Sequence, residues 1–146
     1  MAVDVHQEVF IQEAQELLTE LEASLLELED DREDLELVAR IFRAMHTIKG
    51  SGAMFGFENI AHLVHDVETA YDKVRNGELK VTKDMVDYSL KSVDVIKEML
   101  EDPNIKAESD EAKEILHFFR NLQNPEAPAE EPEPSEPSEP SEKQDL

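Results

Sequence analysis

The sequence predicts an all-α protein: an antiparallel four-helix bundle with a fifth C-terminal helix and a disordered, acidic, proline-rich tail. Three observations carry this prediction. Apolar residues recur at three- and four-residue steps in four segments of similar length, with a shorter fifth behind them. The apolar set is mostly Leu, Val, Ile, Met and Ala, with no Trp, two Tyr and six Phe, a composition that suits helices. Turn signals fall between the segments: the charged break Glu29-Asp30-Asp31-Arg32, Gly56, Asn76-Gly77 and Asp102-Pro103-Asn104.

The first helix covers about residues 4–29. Phe10, Ala14, Leu17, Leu18, Leu21, Leu25 and Leu28 form its apolar stripe, and Glu13, Glu16, Glu20, Glu22, Glu27 and Glu29 fall off it as a solvated face. A second helix runs from about Glu33 to Phe55 on a stripe of Leu35, Val38, Ile41, Phe42, Met45 and Ile48. Gly56 supplies a left-handed stop, and Phe55 and Phe57 pack the turn into the core. The third helix spans about Glu58 to Asn76, with Ile60, Leu63, Val64, Val67, Tyr71 and Val74 inward. Thr82 caps a fourth helix that reaches about Glu101, with Met85 or Val86, Leu90, Val93, Ile96 and Leu100 on its stripe. Ser109 caps a last helix to Leu122, with Ala112, Ile115, Leu116 and Phe119 inward. Residues 1–123 therefore read as one domain.

Residues 124–146 read as something else. Six of the seven prolines lie there, and Pro-Ser-Glu occurs three times in succession from Pro134. Such a segment has nothing to bury and reads as an extended, disordered linker. A linker suggests that a further domain follows, so that the chain is a piece of a larger kinase or a free-standing relay protein with a tail.

The chain carries a net charge of −22, of which −15 falls on the first 123 residues. An acidic domain of this kind repels nucleic acid and anionic membrane surfaces. It has no cysteine, which excludes disulfides, thiolate metal sites and cysteine nucleophiles. There is no apolar run long enough for membrane insertion and no secretory signal, and the expectation is a cytoplasmic protein.

The chemistry concentrates at Phe42-Arg43-Ala44-Met45-His46-Thr47-Ile48-Lys49-Gly50-Ser51-Gly52. Lys49 and Gly50 stand three and four residues after His46, hence on its face of the helix. They give the imidazole a neighbouring cation and a patch without a side chain, an arrangement that can receive a compact anion such as phosphoryl. His46 lies roughly 90° from the centre of the apolar stripe, on the flank of the helix. It precedes Gly56 by ten residues and Glu68 follows Gly56 by twelve, so the two sit at nearly the same height on an antiparallel pair. Glu68 also lies on the flank of its own helix and can meet His46 across the seam. His65, one turn away, points toward the same rim. A carboxylate that accepts from one ring N–H fixes the tautomer and leaves the other nitrogen as an outward lone pair. No serine or cysteine partner is in place, so the histidine itself would be the nucleophile.

The run Phe42-Arg43-x-x-His46-x-Ile48-Lys49-Gly50, Phe55-Gly56-Phe57, Leu63-x-His65-x-x-Glu68, Asp72-x-x-Arg75-x-Gly77 resembles a histidine phosphotransfer (Hpt) domain, of the type at the N-terminus of CheA chemotaxis histidine kinases. The resemblance covers about residues 5–122. It implies that His46 accepts phosphoryl from ATP bound to a CheA-type kinase catalytic domain and passes it to an aspartate of a response regulator receiver domain. It implies supporting roles for Lys49, His65 and Glu68, and no cofactor bound by this domain, ATP and magnesium belonging to the partner kinase. On that reading the chain is a phosphoacceptor and carrier, not an enzyme. Thr47 stands where the family often has serine. Two alternatives remain, a purely structural bundle and a metal site built from His62, His65, Asp66 and Glu68. A di-iron bundle would need two Glu-x-x-His repeats, and Glu58 precedes His62 by four residues with no second copy. His6, His62 and His117 read as surface or boundary residues without partners.

Overall fold

The computed structural model of the chain describes residues 5–102 and 110–123. Five helices occupy most of them: α1 Val5–Asp30, α2 Leu35–Met54, α3 Glu58–Arg75, α4 Lys83–Glu101 and α5 Asp110–Gln123. No strand occurs among the described residues. The expected cap Ser109, the break at Pro103 and the tail from residue 124 lie outside the described residues.

The first four helices close a ring. α2 packs against α1 and α3, and α4 packs against α1 and α3, while α5 lies across α3 and α4. The apolar stripes meet in one core. All of the α3 stripe is buried, as are Phe10, Ala14, Leu18, Leu21, Leu25 and Leu28 of α1. From α5, Ala112, Ile115, Leu116 and Phe119 extend the same cluster.

α2 begins two residues later than the apolar pattern suggests. The Asp34 side chain accepts from the backbone N–H of Glu36 at 3.0 Å and of Leu37 at 3.2 Å, which makes Asp34 the N-cap. Leu35 therefore sits in the first turn beside the charged loop and is 57% exposed, and Leu37 takes the buried place. Leu17, Phe42 and Leu90 sit half-buried at the edge of the core. Thr82 caps α4 as expected, its hydroxyl accepting from Met85 N–H at 3.1 Å.

The α2–α3 turn sets the height of everything above it. Gly56 takes φ +92°, a conformation that costs an L side chain roughly 1–2 kcal/mol. The Phe57 N–H then donates to the Gly52 carbonyl at 2.7 Å. Phe57 packs against Phe10 of α1 with tilted rings whose centroids are 5.0 Å apart. The Gln7 side-chain amide donates to the Phe55 carbonyl at 2.8 Å, tying α1 to the same turn. With the hairpin pinned there, the residues above it on α2 and α3 are fixed in register.

A polar contact joins α3 to α4 inside the core. Ser89 donates to the Met85 carbonyl at 2.7 Å, so the Tyr71 hydroxyl donates to Ser89 Oγ, also at 2.7 Å. Burial pushes the Tyr71 hydroxyl far above its ordinary pKa, more than the bond to Ser89 lowers it, and the group stays neutral. Tyr71 lies three residues after Glu68, so this contact steadies the stretch of α3 that carries the carboxylate.

Candidate functional site

His46 stands on the flank of α2 with 65% of its side chain exposed. Glu68 of α3 faces it across the seam, and the two meet as their matched heights predict. His46 Nδ1 lies 2.5 Å from Glu68 Oε2. The Glu68 side chain is 7% exposed, far more buried than a flank position suggests. The reason lies in its second partner. Lys49 Nζ sits 2.6 Å from Glu68 Oε1, so both carboxylate oxygens are turned to partners rather than to solvent.

Each carboxylate oxygen thus has its own donor. Burial alone would raise the Glu68 pKa. Hydrogen bonds from Lys49 and His46, together with their positive charge, outweigh it and hold the carboxyl below its ordinary value near 4.5. Glu68 is therefore ionised at neutral pH and can only accept. In the neutral ring Nδ1 of His46 must then carry the hydrogen, and Nε2 is left as the lone pair of the exposed imidazole.

Lys49 plays a different part from the free cation that its spacing suggests. It is 29% exposed and bound to Glu68, still beside His46 but committed to the carboxylate. Its removal frees one oxygen of Glu68 and takes away a positive charge one carboxylate away from the imidazole. Such partly exposed pairs contribute about 0–1 kcal/mol, so Lys49→Ala should slow phosphoryl acceptance by up to about fivefold. The deficit should shrink as salt is added. Initial rates of labelling by a kinase at low and high salt measure it, and complete inactivity of a folded variant would contradict this account.

Gly50 is exposed, and a Cβ built there would meet nothing within 4 Å. The space beside His46 is therefore open on the side of Gly50. His65 is exposed and lines a shallow groove with Lys49, Gly50, Ala53, Ala61 and Arg120. It borders the site without joining the hydrogen-bonded unit of His46, Glu68 and Lys49.

The other histidines have contacts that their sequence positions do not reveal. His6 stacks on Phe55 at 6.2 Å, His62 Nε2 lies 3.5 Å from Arg120, and His117 Nε2 lies 3.1 Å from the Asn121 amide. Arg120 of α5 also donates to Asp66 of α3 at 2.9 Å. Of the residues considered as metal ligands, His62 and Asp66 thus share Arg120 while Glu68 is held by His46 and Lys49, and no group of three or more His, Asp or Glu suited to a metal occurs among the described residues. No helix among them is long and apolar enough to cross a membrane.

Residues 7–103 match the family model of the Hpt domain. The chain is 43% identical over 93 residues to the sensor histidine kinase CheAY of Helicobacter pylori, a match covering 64% of this chain and 12% of that protein. It is 44% identical over 92 residues to the chemotaxis protein CheA of Borreliella burgdorferi, covering 63% of this chain and 11% of that protein. The chain thus spans a small fraction of the length of these relatives. Among solved structures it resembles the CheA phosphotransferase domain from Thermotoga maritima, with 40% identity and a TM-score of 0.64 over 68% of this chain and 96% of that one. With the family match over most of the bundle and a His–Glu–Lys unit at its centre, the chain belongs to the histidine phosphotransfer (Hpt) domain family.

Proposed function

We propose that this chain carries phosphoryl groups on His46 within a chemotaxis-type two-component system, receiving them from a CheA-type kinase domain and yielding them to a response regulator. The carrying observation is the exposed imidazole whose Nδ1 is bound by a buried, ionised carboxylate. The names of the relatives support the kinase setting.

In the first transfer Nε2 attacks the γ-phosphorus of ATP held by the kinase. The N–P bond forms as the bridging P–O bond breaks, and ADP leaves with the electron pair. The ring gains positive charge, which the Glu68 carboxylate offsets through Nδ1–H. In the second transfer an aspartate oxygen of the receiver attacks phosphorus, and the N–P electron pair returns to Nε2. Phosphate cradling and magnesium belong to the partners in both steps. The bundle offers an oriented nitrogen and a nearby lysine, and its net negative charge opposes a free polyanion.

The test uses the purified chain with labelled ATP and magnesium, alone, then with a CheA-type kinase domain, then with a receiver domain added. The expected sequence is no label, acid-labile label, and loss of label to the receiver. Stoichiometric labelling without a kinase would make the chain an enzyme in its own right and overturn the carrier reading.

A further inference from the structure

The bond to Glu68 leaves one question about His46 open. A hydrogen bond at Nδ1 lies in the plane of the ring and tolerates rotation about itself. An imidazole that is 65% exposed needs a second contact before Nε2 has a fixed direction. Phe42 supplies it. It stands four residues before His46 on the same face of α2, and the two rings stack with centroids 6.0 Å apart and planes 19° from parallel. The Arg75 guanidinium lies over the Phe42 ring, 4.5 Å from its centroid. Arg75 is in turn held by Asp72, its Nη1 donating to Oδ1 at 3.0 Å. A chain of contacts therefore runs from the last turn of α3 through Phe42 to His46.

We propose that Phe42, clamped against Arg75, is a positioning residue that fixes the ring plane of His46 and so directs Nε2. This rests on His46 being the phosphoryl acceptor. Phe42 does not reach the reacting atoms itself. It acts by limiting the orientations of the imidazole, and a misdirected nucleophile loses rate even when its chemistry is intact. Its aromatic ring also lies 6.0 Å from a ring that becomes cationic during transfer, a favourable pairing that an aliphatic side chain lacks.

The test compares the full chain with Phe42→Leu, Phe42→Tyr and Arg75→Gln. Phosphorylation by a CheA-type kinase domain is measured as kcat and as KM for the chain, and the order parameter of the His46 ring is measured by NMR without any kinase. Phe42→Leu should lower kcat about tenfold at unchanged KM and loosen the ring. Phe42→Tyr, which restores a stacking face, should recover most of the rate. Arg75→Gln, an exposed change that leaves Phe42 in place, should give a loss of about threefold with some ring loosening, and it decides the matter should Phe42→Leu fail to fold. An unchanged kcat and rigid ring in Phe42→Leu would overturn the proposal. So would a Tyr variant as slow as the Leu variant, or a rise in KM alone, which would make Phe42 a docking contact. If the wild type takes no label, or His46→Gln is labelled equally, the acceptor reading itself fails, while the ring measurement still reports whether Phe42 holds the imidazole.

Discussion

In His46→Gln, acid-labile label from a CheA-type kinase domain and ATP should fall to background, while helicity and melting stay at the wild-type level. Glutamine approximates the length and polarity of the imidazole but has no basic lone pair to form an N–P bond. The side chain is mostly outside the core, so the fold loses little. His62, His65 and His117 are exposed too, but none is bound by a carboxylate as His46 is. Residual label near the wild-type level would show that another histidine is the acceptor.

Glu68→Gln should slow phosphorylation by about a hundredfold, within the range found for groups that assist proton placement and charge. The amide oxygen can still accept from Nδ1–H, so orientation partly survives. The negative charge that offsets the cationic ring does not, and Lys49 loses its ion-pair partner. Folding at neutral pH should change only slightly, and the change should depend on pH. The folded carboxyl lies below its ordinary value near 4.5, so the unfolded chain takes up a proton first as the solution is acidified. The contribution of Glu68 to stability is therefore complete above that ordinary value and disappears as pH falls through the lower folded value. Melting curves of wild type and Glu68→Gln should differ at neutral pH and converge in acid. A constant difference down to roughly pH 3 would show that the carboxylate charge is not its source.

The central pair was legible in the sequence because two simple quantities fix it, the rise of a helix and the position of Gly56 between His46 and Glu68. The allegiance of Lys49 was not. Spacing places its Cβ beside His46 but does not say which way a four-carbon stem turns, and the strongest nearby anion, Glu68 Oε1, decides it. Glu68 is buried with both oxygens paired to α2, a neighbour that an angular estimate on an isolated helix cannot include. The Phe42–Arg75 contact depends on how α2 crosses the end of α3, and the Arg120–Asp66 contact on where α5 lands after a break. Both join residues more than thirty positions apart through helix packing, which no local periodicity encodes. Leu35 misleads for the opposite reason: its periodicity is right, but Asp34 starts the helix beside it and leaves it in the first turn.

The exposure of His46 on the flank of α2 also governs the order of events. Nothing has to open before a macromolecule reaches Nε2, but there is only one such nitrogen, and it presents one side to solvent. On the proposed carrier function, a donor and an acceptor that both need that side exclude one another, and the cycle would run as two separate encounters with release between them, in ping-pong fashion. An excess of unphosphorylated receiver would then slow the loading step by occupying the carrier before it is charged. Throughput is highest when neither partner lingers, which makes weak, short-lived association an advantage for a carrier of this shape.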